Sequence, residues 1–370
     1  MNQSDPGKAG LEGRIRSLDF FRGLTMFLLI AEFTALFGQM TSPALDGTWI
    51  ATIGEQFHHH PWNGLRFWDL IQPFFMFIVG VAMPFSIGSR RKRGQSQKEI
   101  RNHVFQRSFL LLLFGWALYC IGPGHIVFRF QNVLAQLSVT YLLAYLVMHK
   151  PVRYQLLFSF SLIILTEVIY RSFAVDGFDN PFVANENFGT WLDLQYGGAD
   201  LNGGWVSFNA IPTTAHTIWG VLVGQLLRSN SLKKYKLKVL LIAGITGIII
   251  GYGLDPLTPI VKRICTSSFV LVSGGYSILA MALCFWAIDM KDWQRGTWVF
   301  TIVGMNSLFI YLFAHIGGAD FIKEIIQPFT RSLLGWLGEL ESEMITSLLV
   351  LYLMWYLTYW LYKRRIFFKI

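Results

Sequence analysis

Three consecutive histidines, His58, His59 and His60, stand directly before a Pro-Trp-Asn-Gly turn at residues 61–64, and Asp69 follows a short way on. Imidazoles in such a place have three uses: plain loop polarity, a metal clip, or proton transfer. Three adjacent residues cannot easily aim three rings at one ion, and no Cys or carboxylate recurs at helical spacing beside them, so no metal is proposed. One well-held imidazole suffices as a general base, and its unperturbed pKa of about 6.5 would make activity fall below that pH. Asp69 has two roles open to it: holding an imidazole, or capping the helix that begins there, where helix polarity favours a negative charge. Spacing alone leaves acid–base chemistry and a passive polar loop both standing.

The elements that carry these residues are membrane helices. The chain has 370 residues, 53% of them hydrophobic and only 14% charged, far too apolar a balance for an ordinary soluble domain. The apolar residues fall in blocks of about 17–25, the length that crosses a hydrocarbon core of about 30 Å. The blocks cover 17–40, 66–88, 105–122, 131–148, 153–171, 207–227, 236–252, 268–289, 297–317 and 342–362. The expected fold is all-α: a polytopic membrane protein with a single bundle of about ten transmembrane helices, since helices satisfy their own backbone groups where lipid cannot. Residues 1–16 read as a cytoplasmic N-terminal segment without the features of a signal peptide, and 17–370 as one transmembrane domain. Cys120, Cys265 and Cys284 have no paired spacing and suggest neither a disulfide nor a zinc site.

The net charge of +9 invites a nucleic-acid reading, but its distribution points elsewhere. With a cytoplasmic N-terminus and ten spans, one side collects 23 of the 31 Lys and Arg residues, including Arg90–Arg93, Arg107, Lys233–Lys238 and Lys363–Arg365. That is the positive-inside pattern, with both termini cytoplasmic and anionic lipid as the attracted partner. The loop carrying His58–His60 then faces outward. So does the stretch 172–206, which holds Asp176, Asp179, Glu186, Asp193 and Asp200 but no Lys or Arg, and is long enough to form a cover over a site. The 16% aromatic content suits interfacial belts; it leaves monomer and homodimer equally open.

Acidic residues inside apolar blocks are costly and usually face a bundle interior. Asp19 and Arg22 are spaced to pair at i, i+3, and Glu167 and Arg171 at i, i+4. Glu32 lies deeper with no local partner, a candidate for a polar network at the catalytic centre. His315 ends the ninth block on the outer side and His216 lies in the sixth, so several imidazoles collect toward one membrane face.

Six ordered stretches resemble a family of transmembrane N-acetyltransferases, that of heparan-alpha-glucosaminide N-acetyltransferase. They are RIRSLDFFRGLTMFLLI at 14–30, HHHPWNGLRFWDLIQPFFMFIVG at 58–80, NVLAQLSVTYLLAYLV at 132–147, PIVKRICTSSFVLVSGG at 259–275, VGMNSLFIYL at 303–312 and LYKRRIFFKI at 361–370. The resemblance implies transfer of an acetyl group from cytoplasmic acetyl-CoA to an amino sugar, free or on a glycosaminoglycan fragment, across the membrane. It assigns the active histidine of an H-x-x-W-N-G pattern to His59, with Trp62, Asn63 and Gly64 completing the pattern. His58 and His60 receive no role from it. Lys262, Ser267 and Asn306 fall on family positions and become substrate-binding candidates beside His315. Their plainer readings are a surface lysine, a helix cap and a packing amide. Arg22, Arg90 and Arg107 become candidates for the phosphates of acetyl-CoA. Two departures stand out: the family's helix 1 Asn is Phe33, preceded by Glu32, and Ala135-Gln136 stands where Gln-Arg is expected. An amino-sugar permease and an inactive sugar-binding relative are the alternatives, although no inverted repeat with matching broken helices is visible.

Overall fold

The computed structural model describes residues 15–368, so Lys8, Arg14, Lys369 and most of the proposed N-terminal segment lie outside the described residues. The described chain is helical, and its β structure is a single isolated bridge. In order, the helices are α1 (Arg16–Glu32), α2 (Leu36–Met40), α3 (Trp49–Glu55), α4 (Ile71–Lys92), α5 (Gln97–Ile121), α6 (Val133–Val147), α7 (Val152–Ser172) and α8 (Phe188–Leu194). They continue as α9 (Ala210–Arg228), α10 (Lys233–Leu254), α11 (Ser267–Cys284), α12 (Thr297–Met305), α13 (Ser307–His315), α14 (Gly318–Leu334) and α15 (Glu339–Lys363).

Every one of the ten apolar blocks holds a helix, and the chain is a multi-pass membrane protein. Six helical segments are long and apolar enough to cross a bilayer unaided: those built on α4, α5, α7, α10, α11 and α15. The bent pair α12–α13 makes a seventh if it is one span. The other blocks fall short of that standard for visible reasons. Helix α6, 15 residues long, reaches only about 22 Å at 1.5 Å per residue. Helix α9 spends positions on Thr213, Thr214, His216 and Thr217, all buried against protein rather than lipid. The first block is interrupted: α1 stops at Glu32, and Ala35 takes a left-handed φ of 64° before α2. A count of ten spans therefore exceeds what helix length and composition support. A further helix, α14, was not expected from the block pattern; it interleaves Lys323, Glu324 and Arg331 with Phe321, Ile325, Phe329 and Leu333.

Burial sorts the bundle into centre and rim. The most apolar 18-residue stretches of the α4 and α11 segments are 78% buried, whereas those of α5, α7 and α10 are 17–22% buried and turn outward. At the centre, α4 packs on α9 through glycines. A Cβ at Gly80 would stand 2.0 Å from the Thr217 carbonyl oxygen, and one at Gly220 2.2 Å from that of Phe77. Small residues let two helix backbones approach to contact, which matters in lipid, where apolar side chains gain little by leaving one apolar solvent for another. Around this pair, α1 packs against α12 with Gly23 pressed on the Phe300 carbonyl. The break between α12 and α13, 74° in angle, is closed by Asn306. Its side-chain amide donates to the Ile366 carbonyl at 3.0 Å, and its oxygen accepts from the Phe368 N–H at 3.1 Å. The Asn306 side chain at the break thereby satisfies backbone groups of residues 366 and 368.

The stretch 172–206, expected outside, is folded rather than a slack connector. Asp193 is fully buried and accepts from Gln131 Nε2 at 2.8 Å and from the Ser207 N–H at 2.9 Å, with Tyr196 and Ser207 hydroxyls also donating to it. Tyr170, Phe173, Phe188, Trp191 and Phe208 form an aromatic cluster beneath it.

The threading that puts this stretch outside and the 93–98 turn inside is checked by single cysteines at exposed Asp179 and Lys98, in a background carrying Cys120→Ser. A membrane-impermeant maleimide should label Asp179→Cys from outside intact spheroplasts and label Lys98→Cys only after lysis. The reverse pattern, or equal labelling of both, rejects the threading.

Candidate functional site

The site is built on a turn held by one carboxylate. Residues 67–70 form a short 3-10 turn that leads into α4, and Asp69 sits within it, 1% exposed. Its Oδ2 accepts from the Arg66 N–H at 2.9 Å and the His60 N–H at 3.2 Å. Its Oδ1 lies 2.9 Å from His59 Nδ1. The cap and the histidine clamp, two separate readings of Asp69 from sequence, are therefore one structure. The three histidines diverge. His58 Nε2 lies 3.2 Å from Thr41 Oγ1 and 3.2 Å from the Phe37 carbonyl. The His60 ring packs under Gly64, whose φ of +143° and lack of a side chain are both needed: a Cβ there would fall 2.6 Å from the imidazole. His59 alone turns to a cavity.

A second turn arrives from far along the chain. The Gly64 N–H donates to the Ile260 carbonyl at 2.9 Å, and Asn63 pairs with Val261 in the one isolated antiparallel bridge. Thr266 closes this partner turn by accepting from the Val261 N–H at 3.0 Å and donating to the Pro259 carbonyl at 2.7 Å. Lys262 is thus delivered to His59, 203 residues away in sequence, with Nζ 3.1 Å from Nδ1 and 3.8 Å from Asp69 Oδ1. Nδ1 can carry a proton for only one arrangement. If it accepted from Lys262, its lone pair would face the Asp69 carboxylate at 2.9 Å. If it carries the proton and donates to Asp69, the buried carboxylate gains a donor and Lys262 answers its charge from 3.8 Å. The second arrangement is electrostatically the better one, and it leaves Nε2 unprotonated.

The ring's surroundings move its pKa well away from the unperturbed value. Burial, then the Lys262 charge, push His59 down to about 4, against the opposing pull of Asp69. A fall in activity below pH 6.5, expected for a free imidazole, is therefore displaced to more acid pH. Burial also lowers Lys262 to about 8, with Asp69 resisting.

The outer stretch supplies the roof. Trp62 Nε1 donates to the Phe182 carbonyl at 2.7 Å, and Arg263 Nη1 to the Gly203 carbonyl at 2.8 Å. These bonds seat Trp205 with its ring centroid 5.3 Å from that of His59 and 5.3 Å from Lys262 Nζ. The cavity has a volume of about 200 Å³ and is open on one side. His59, Glu32, Lys262 and His315 all reach its wall, along with Trp205, Trp68, Tyr311, Gln72 and Gln131. Glu32 accepts from Trp68 Nε1 at 3.0 Å. His315 donates through Nδ1 to the Tyr311 carbonyl at 3.0 Å.

Other residues singled out from sequence lie elsewhere. Trp62 and Asn63 brace the two turns and are absent from the cavity wall. Ser267 Oγ donates to Glu167 at 2.7 Å, joining the Glu167–Arg171 pair at 2.6 Å. Asn306 is occupied with the chain end. His216 points into the α9–α11 interface, with Nε2 3.0 Å from both the Val270 carbonyl and Ser273 Oγ. Arg22 pairs with Asp19 at 2.9 Å, as its spacing suggested. Arg90 lies 2.7 Å from His103 Nε2, and Arg107 lies over the Tyr141 ring at 4.7 Å. The helical rise puts Arg90 roughly 30 Å along α4 from Asp69, so the basic cluster and His59 mark opposite ends of the bundle. Trp205 escaped sequence reasoning, although its Gly203-Gly204 approach in an otherwise acidic stretch was a signal. Gln72 and Gln131 carried none.

No protein-family model matches the chain. Heparan-alpha-glucosaminide N-acetyltransferase of Homo sapiens is 33% identical over 138 residues, which are 36% of this chain and 19% of that protein. The Mus musculus protein of the same name is 33% identical over 133 residues, 35% of this chain and 18% of that protein. The match thus spans less than a fifth of the length of these relatives. Over about a third of its own length, the chain resembles heparan-alpha-glucosaminide N-acetyltransferase.

Proposed function

We propose that the chain is a transmembrane acetyltransferase that takes an acetyl group from cytoplasmic acetyl-CoA and delivers it to the amine of an amino sugar on the outer side of the membrane. The observation that carries this reading is the His59–Asp69 pair: an imidazole whose Nδ1 lies 2.9 Å from a buried carboxylate and whose ring lines a cavity. The acceptor nitrogen attacks the thioester carbonyl carbon. From the neutral amine, once any ammonium proton has passed to solvent, a nitrogen–carbon bond forms and the carbon–sulfur bond breaks; His59 Nε2 takes the proton that the nitrogen sheds and returns it to the departing thiolate. Asp69 fixes the tautomer and answers the charge that appears on the ring. Because His59 is neutral throughout the physiological range, its base form is present without a preceding deprotonation.

Arg90 and Arg107, at the other end of the bundle, are the proposed holders of the donor's phosphates. In this reading residues 17–370 act as one transmembrane domain in a bacterial inner membrane, with both termini cytoplasmic. Free glucosamine or a glycosaminoglycan end is the acceptor, membrane lipid surrounds the bundle, and a homodimer is compatible with it.

The test is CoA release by purified protein given acetyl-CoA and glucosamine. His59→Ala should lose about 10²–10⁴-fold of the rate, the span expected of a lost general base. His58→Ala and His60→Ala should lose far less. Asp69→Asn, which presents an amide donor to Nδ1–H and disfavours the working tautomer, should fall between wild type and His59→Ala. Full turnover in His59→Ala removes the assignment; no turnover by wild type with any amino sugar overturns the acetyltransferase reading.

The acid limb of the rate provides a second check. With the rate divided by the fraction of acceptor amine left unprotonated at each pH, it should hold as pH drops through 6.5 and fail only toward about 4, as His59 is protonated. Lys262→Met removes a cation that holds the ring neutral, so the limb should move to higher pH. An acid limb at 6.5 in wild type, or one unmoved in Lys262→Met, contradicts the assigned electrostatics.

A further inference from the structure

The cavity beside His59 contains a charge that the acid–base pair does not use. Asp69 is answered by Lys262 at 3.8 Å, and His59 is neutral. Glu32 has one hydrogen bond, from the neutral indole of Trp68, and among the described residues no Lys, Arg or His lies within ion-pair distance of it. The nearest charged or titratable influences on it are Lys262, already matched to Asp69, and His58, which is bonded to Thr41 and Phe37. Glu32 is also the last residue of α1, where the helix end adds partial negative charge. It is exposed to the cavity, whose wall also carries the rings of Phe33, Trp68 and Tyr311. Aromatic faces around a carboxylate favour a desolvated cation. The cavity, about 200 Å³ and open on one side, has room for one small ring.

We infer that Glu32 is the recognition group for a protonated primary amine on a molecule the size of one sugar ring, which binds in this cavity with its ammonium group on the Glu32 carboxylate. Glu32, a catalytic candidate from sequence, thereby becomes a specificity determinant that selects amine over hydroxyl or amide at the same ring position. The inference rests on the acetyl-transfer reading for the fate of the amine; its binding stands independently of that reading.

Binding is measured by calorimetry on detergent-purified protein without acetyl-CoA, using glucosamine, galactosamine, glucose and N-acetylglucosamine. Wild type should bind at least one of the two amines about tenfold or more tightly than glucose or N-acetylglucosamine, the margin of one charge-assisted contact. Glu32→Gln keeps an acceptor for the Trp68 indole and should erase that margin; a thermal melt like that of wild type would show that the fold is kept. Equal affinity of wild type for amine and glucose, no amine binding by wild type, or an undiminished margin in Glu32→Gln overturns the inference. His59→Ala should retain the margin while losing turnover. Amine binding without turnover in wild type would sink the acetyl-transfer reading and leave the cation site standing. Turnover that ignores Glu32→Gln would do the opposite.

Discussion

The site depends on how a single carboxylate is satisfied. Asp69 is nearly inaccessible to solvent at the entrance to α4, and a bare charge there would cost several kcal/mol. Two backbone N–H groups, from Arg66 and His60, fold the histidine loop down onto it. One imidazole N–H and one ammonium complete its surroundings. The same contacts therefore start a membrane helix, fix the loop, choose the His59 tautomer and draw Lys262 across from a remote turn. Removing one partner of such a buried set typically costs about 3–5 kcal/mol, since the remaining charge is left stranded.

Around that anchor, three segments distant in sequence are tied by hydrogen bonds to backbone groups rather than by side-chain packing alone. The Asn63-Gly64 turn is bonded to Ile260 and Val261, and the outer stretch is bonded to Trp62 and Arg263. Backbone bonds are directional and short, so they set position more sharply than apolar packing does. Trp205 and Lys262 consequently sit beside one ring with little freedom. The bundle below supplies the rigid frame: α4 and α9 meet glycine to carbonyl, and the outward-facing α5, α7 and α10 present their apolar sides to lipid.

The geometry also gives several conspicuous polar residues a structural use. Asn306, at a helix break, bonds the backbone of residues 366 and 368 through its side chain, and Ser267 joins the Glu167–Arg171 pair near the C-terminal end of α7. Each would attract a functional reading in isolation, because a polar side chain in an apolar block has an unmet partner until tertiary structure supplies one. Glu32 is different in that the partner supplied, Trp68, is neutral.

Much was legible in the sequence by itself. The helical character of all ten apolar blocks follows from composition and length, because a backbone in lipid has few other ways to satisfy its hydrogen bonds. The pairs Asp19–Arg22 and Glu167–Arg171 follow from helical spacing, a local property. His59 and Asp69 could be named together because a short loop keeps them close whatever else the chain does. Tertiary structure alone decided the rest. How far each block serves as a span depends on which helices are surrounded by protein, as α6 and α9 show. Lys262 meets His59 across 203 residues, and Trp205 roofs them both, through turns whose bonding partners lie in other segments. The separation of Arg90 from the cavity needed the full length of α4. The physical reason is range: periodicity and spacing encode contacts within a turn or two of helix, whereas a long-range meeting depends on which remote backbone groups are left to satisfy one another.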